Sequence, residues 1–169
     1  MKSLSLLKVW SMGAIASFIL TSSALLGDYD LKIKEVAKEL EEIPVLHEGR
    51  VKPLQTFARA HLLAFQQKSK LRHEDMTAME WLTELILFPE QAYDRKVFKV
   101  RTPEVIESLS LPIDDDNNYS FRDLSLGLNE NLDTLQKFAE RERDTLDPTE
   151  RQMLELYFNT IVYLDISRS

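Results

Sequence analysis

Cysteine is absent from the 169 residues. Its absence excludes disulfides, thiolate metal sites, thioredoxin-like redox chemistry and covalent c-type haem attachment together. Glycine is almost as scarce, with 4 in the whole chain. A phosphate-cradling loop has no material to be built from, and neither a P-loop nor Gly-x-Gly-x-x-Gly occurs. Gly-x-Ser-x-Gly, the nucleophile elbow of hydrolases, is missing too. Nothing in the sequence assembles a catalytic centre, and none is expected. There is no internal repeat, which argues against a solenoid, and no tract of biased composition.

A surplus of positive charge is also lacking. The formal net charge is −7, and the first 26 residues hold Lys2 and Lys8 with no acid, so the remainder carries 19 basic against 28 acidic side chains. An acidic body of that kind repels phosphate backbones, which argues against nucleic-acid binding.

The one extended apolar stretch is at the start. Lys2 and Lys8 precede Val9–Leu20, and Thr21-Ser22-Ser23-Ala24 then supplies small residues, with Ser22 and Ala24 at the −3 and −1 places of a cleavage site. Left uncleaved, Val9 to Leu26 is barely long enough to span about 30 Å of hydrocarbon, and its hydroxyl residues weaken that case. Residues 1–26 are therefore a signal peptide or a membrane anchor. In either case the two lysines stay on the cytoplasmic side and the acidic body crosses. The body is expected in the periplasm or on the outer face of the cytoplasmic membrane.

Residues 27–169 read as a single, mainly α-helical domain with one or two short β pieces. Leu31, Ile33, Val36, Ala37, Leu40 and Ile43 recur at helical spacing and stop before Pro44. From Pro44 to Lys52, two short apolar runs around Glu48-Gly49 predict a hairpin, with Gly49 supplying a positive φ. Pro53 suits a helix start, and Leu54, Phe57, Ala58, His61, Leu62 and Phe65 mark the inward stripe of that helix. Lys68–Glu74 is a charged loop. Thr77 and Glu80 have capping-box spacing ahead of Trp81, Leu82, Leu85 and Ile86, and Phe88-Pro89 stops the helix.

Val97–Val100 predicts a strand, and Thr102-Pro103 opens a helix with Thr102 as cap. Residues 111–118 read as a loop, after which Ser120–Leu124 begins a short helix. A helical hairpin follows, with Leu132, Leu135, Phe138 and Ala139 on its first stripe. Asp147-Pro148-Thr149-Glu150 starts the second helix, and Met153, Leu156, Tyr157, Ile161 and Leu164 continue its stripe.

His47, His61 and His73 are the only histidines. No pair has the i, i+4 spacing of a helical metal site, so no metal and no cofactor is expected. Asp114–Asp116 lacks the glycine and distal glutamate of a calcium loop and reads as solvated. The unusual segment is Ile43–Arg59, where Arg50, Lys52 and Arg59 stand inside an otherwise acidic protein. It is either a connection that needs Gly49 and Pro53 for its geometry or a docking surface for an anionic partner. In the second case Arg50, Lys52, Arg59 and His47 are the docking residues.

The run Ile43-Pro44-Val45-Leu46-His47-Glu48-Gly49-Arg50-Val51-Lys52-Pro53-Leu54-Gln55-Thr56-Phe57-Ala58-Arg59 resembles exported sequence in system II cytochrome c biogenesis proteins. These are the large haem-handling membrane proteins of the ResB–CcsA type. The similarity continues weakly at Trp81-Leu82, Phe88-Pro89-Glu90, Val97–Val100 and Tyr119–Leu124, covering residues 43–126. Gly49-Arg50-Val51-Lys52-Pro53-Leu54 is its specific part. Family members also have several transmembrane helices, a tryptophan-rich haem-binding loop and membrane histidines, none of which is present after Arg59. Haem transport and ligation therefore do not carry over. What the resemblance implies is a separate or truncated exported module, partnered with a membrane-embedded haem-handling protein.

Overall fold

The computed structural model describes residues 29–47, 49–71 and 75–169. The export segment 1–26, Glu48 and His73 lie outside these residues. No helix among the described residues is long and apolar enough to cross a membrane.

The domain is mainly helical, as its patterning predicts. Residues 29–40 form helix α1. Strands β1 (Pro44–His47) and β2 (Arg50–Pro53) make an antiparallel hairpin with Val45 opposite Lys52 and Leu46 opposite Val51. Helix α2 (Leu54–Gln66) follows without a break. The two-residue strand β3 (Lys70–Leu71) falls in the expected charged loop 68–74 and pairs with β4 (Met76–Thr77) just beyond it. Helix α3 (Ala78–Leu87) and the single turn α4 (Pro89–Ala92) come next.

Strand β5 (Lys96–Lys99), helix α5 (Pro103–Ser108), strand β6 (Asn118–Ser120) and helix α6 (Phe121–Glu130) build the middle of the chain. β6 pairs antiparallel with β5, with an irregularity between Lys96 and Phe98. It begins at the last residue of the expected loop 111–118 and runs to the expected helix start at Ser120, a strand too short to show a period. Helices α7 (Leu132–Ala139) and α8 (Pro148–Ser167) form the C-terminal helical hairpin.

Capping chemistry sets the helix starts. Thr77, Ser120 and Asp147 each accept from the backbone N–H three residues on, and Glu80, Asp123 and Glu150 return a carboxylate to the cap's own N–H. Thr102 departs from expectation, because its side chain makes no capping hydrogen bond. Instead the N–H groups of Arg101 and Thr102 donate to Oε1 of buried Gln152 on α8, at 3.1 and 2.8 Å.

α3 is the central element. Trp81, Leu82 and Leu85 are fully buried with Ala58 and Leu62 of α2, Val97 and Phe98 of β5, and Tyr163 of α8. Tyr163 stacks on Phe121 at 5.7 Å, meets Phe98 at 5.3 Å, and donates to the Ala92 carbonyl at 2.7 Å. Burial raises its pKa, and the Glu84 charge adds to the shift. The stripes differ from expectation at their margins. On α1, Ile33 and Ala37 are buried but Leu31 is exposed, because two helical residues turn it well off the Ile33 face. On α7, Leu135 is buried while Leu132 and Ala139 are exposed. On α8 the inward residues are Met153, Leu156, Thr160 and Tyr163, with Ile161 exposed.

Candidate functional site

The hairpin opens with a proline-rich strand start and closes through Gly49 at φ +73°, the left-handed region that glycine enters without a Cβ penalty. Its ladder continues outward, since the Leu54 N–H donates to the Ile43 carbonyl at 2.8 Å. Antiparallel alternation then makes Ile43/Leu54, Val45/Lys52 and His47/Arg50 the hydrogen-bonded pairs. The pairs between them, Pro44/Pro53 and Leu46/Val51, turn their backbone groups to the outer edges. Proline has no N–H, so each edge offers one outward donor, that of Leu46 or Val51. Strand addition by a partner is thereby disfavoured.

The hairpin side chains are sorted unusually. One face carries Pro44, Leu46, Val51 and Pro53, all exposed, with Leu46 at 76% and Val51 at 71%. The other carries Val45, His47, Arg50 and Lys52, and it turns toward α2. His47 meets the Phe57 ring edge-on at 5.1 Å and the His61 ring at 5.3 Å. An ordinary two-stranded hairpin places its apolar face on the core and its polar face in water. Here the aliphatic face meets water.

The residues singled out in the sequence are partly united by this fold. His47, Arg50 and Lys52 share the inner face, where Arg50 is exposed and His47 and Lys52 are half-buried. Arg59 is exposed on α2, outside the hairpin. Pro53 ends β2 and serves as the residue before the first turn of α2. Sequence reasoning missed the pairing of His47 with His61, which have no helical spacing and meet only because the hairpin folds back on α2.

Behind the hairpin lies a groove of about 440 Å³, between β1, α2 and the C-terminal turns of α8. Among the described residues no group of three or more histidine, aspartate and glutamate side chains is placed to hold a metal ion. Asp114 has a structural role: it accepts from Lys96 Nζ at 2.5 Å and from the N–H groups of Asn118 and Asp116 at 3.0 and 3.1 Å. The Lys96 hydrogen bond first, then the Asn118 amide, hold its carboxyl below the usual range.

Other charges serve the fold. Glu84, fully buried, takes a two-pronged contact from Arg95 at 2.8 and 2.7 Å and a hydrogen bond from the Tyr29 hydroxyl at 2.8 Å. This ties α1 to α3. Burial raises the Tyr29 pKa, assisted by the hydrogen bond to Glu84. Arg141 is held by Glu150 at 2.6 Å and the Thr145 carbonyl, which fixes the turn between α7 and α8.

No protein-family model matches the chain, and comparison with curated proteins gives no match.

Proposed function

We propose that this chain is an extracytoplasmic accessory module of cytochrome c biogenesis that associates with a membrane-embedded haem-handling protein. One observation carries the docking role: the exposed aliphatic face of the 44–53 hairpin, with Leu46 and Val51 opposite each other and open to solvent. An exposed apolar patch on a charged domain marks an interaction surface. The resemblance of residues 43–59 to exported sequence of the ResB–CcsA type supplies the choice of partner, and this is the same segment that forms the hairpin. Arg50, with Lys52 beside it and Arg59 on α2, provides cations for an anionic rim around that contact, and His47 holds the inner face of the hairpin against Phe57 and His61. The module performs no chemistry of its own in this reading. It works outside the cytoplasmic membrane, and Lys2 and Lys8 set that orientation.

The test is co-purification of the full chain from detergent-solubilised membranes, with cytochrome c maturation followed by haem staining. The expected result is enrichment of a haem-handling membrane protein, lost together with normal maturation in the Leu46→Glu/Val51→Glu variant. Normal maturation in cells lacking the chain would overturn the haem connection. A different partner held by the same hairpin face would leave a periplasmic scaffold unrelated to haem.

A further inference from the structure

The groove behind the hairpin has the size and lining of a small-molecule site. Its volume of about 440 Å³ lies within the roughly 300–1,000 Å³ typical of such sites. One wall is aliphatic and includes Ile86 of α3 and Ile166 of α8. The opposite wall is aromatic: Phe57 and His61 lie 4.2 Å apart between centroids, and His47 stands nearly perpendicular to both. A flat ring entering there meets both ring faces and ring edges, the two favourable aromatic contacts.

The charge at the groove is specific in sign. Asp165, near the end of α8, is the only aspartate, glutamate, lysine or arginine among the described residues that line the groove. It is exposed and makes no ion pair with a described residue. Arg50 and Lys52 share the inner hairpin face but stand on β2 and do not line the groove. A carboxylate at the rim of an aromatic slot complements a ligand with an apolar body and one positive charge, and it repels the matching anion. The Phe57 ring adds to that preference, because a phenyl face attracts cations.

We propose that this groove binds an amphiphilic cation, a small molecule with a flat aromatic body and a single protonated amine. The body lies against Phe57, His61 and His47, and the amine pairs with Asp165. The site uses the inner side of the hairpin together with Leu46, while Val51, its cross-strand neighbour on the outer face, lies outside the groove.

Two probes of matched shape and opposite charge test it: tryptamine and indole-3-acetate, titrated at pH 8 into the purified full chain with labelled isoleucine methyl groups. Tryptamine is expected to shift the Ile86 and Ile166 methyl signals saturably, with indole-3-acetate at least tenfold weaker. Asp165→Asn should remove most of that discrimination while leaving the methyl spectrum of the free protein unchanged, since the side chain is exposed. Equal or tighter binding of indole-3-acetate would overturn the proposal. So would the absence of saturation by tryptamine at millimolar concentration, or selectivity that survives Asp165→Asn.

Discussion

Two glycines show how differently a single residue can be constrained. Gly49 has nothing within 4 Å of where a Cβ would stand, so its constraint is its φ of +73° alone. Gly49→Ala is expected to cost about 1 kcal/mol, and Gly49→Val about 1–3 kcal/mol because a branched side chain is worse in that region. Gly127 is the reverse case. It lies within α6, where alanine would ordinarily gain about 1 kcal/mol in helix propensity. A Cβ there would fall 2.5 Å from the Leu109 carbonyl oxygen and 2.9 Å from its Cα. Backbone at that distance cannot swing aside, so Gly127→Ala is expected to lower stability by about 1–3 kcal/mol. Urea titration reads both changes, and a stabilised Gly127→Ala would show that α5 and α6 can separate freely. The first glycine was legible in the sequence, since Glu48-Gly49 stands between two short apolar runs bounded by prolines. The second was not, because its constraint comes from another helix.

The elements repeat that division. Helix starts were legible because a cap and its returning carboxylate lie three residues apart, and Thr77, Ser120 and Asp147 all behave accordingly. The hairpin was legible for the same local reason. The inward face of α8 was legible at Met153 and Leu156 but not beyond them, because this helix packs against α2, α3, α5, α6 and α7. A helix with neighbours on several sides is apolar on several sides, and periodicity then no longer points one way. The stripe read through Tyr157, Ile161 and Leu164 borders the deeper one through Met153, Leu156, Thr160 and Tyr163. Gln152 was invisible to patterning altogether, although it holds the entry to α5. Gln152→Ala would leave the N–H groups of Arg101 and Thr102 without their acceptor, at an expected cost of about 1–3 kcal/mol. Gln152→Glu keeps the acceptor and should recover much of the loss. A thermal melt compares the two, and equal melts for alanine and wild type would show that water replaces the amide.

At the scale of the molecule, the core and the proposed docking surface are kept apart. The core is centred on α3 and Tyr163, whereas the hairpin keeps its aliphatic face in water and Arg50 at its tip. Exposed positions of this kind contribute little to folding, within about 0.5 kcal/mol on substitution. Arg50→Glu and Leu46→Glu should therefore both melt like the wild type. Their effects on association should differ in kind. In the proposed contact Arg50 would act through charge, so its reversal should slow association, and that defect should shrink as salt rises from 50 to 500 mM. Leu46 would act there through buried apolar area, so its loss should speed dissociation at every salt concentration. Surface plasmon resonance on the immobilised full chain, with solubilised membrane partner as analyte, separates these rates. A lowered melt for either variant would place that side chain in the fold instead. Normal melts with unchanged rates for both would remove the hairpin from the contact, and the 43–59 segment would then be a connection shaped only by Gly49 and Pro53.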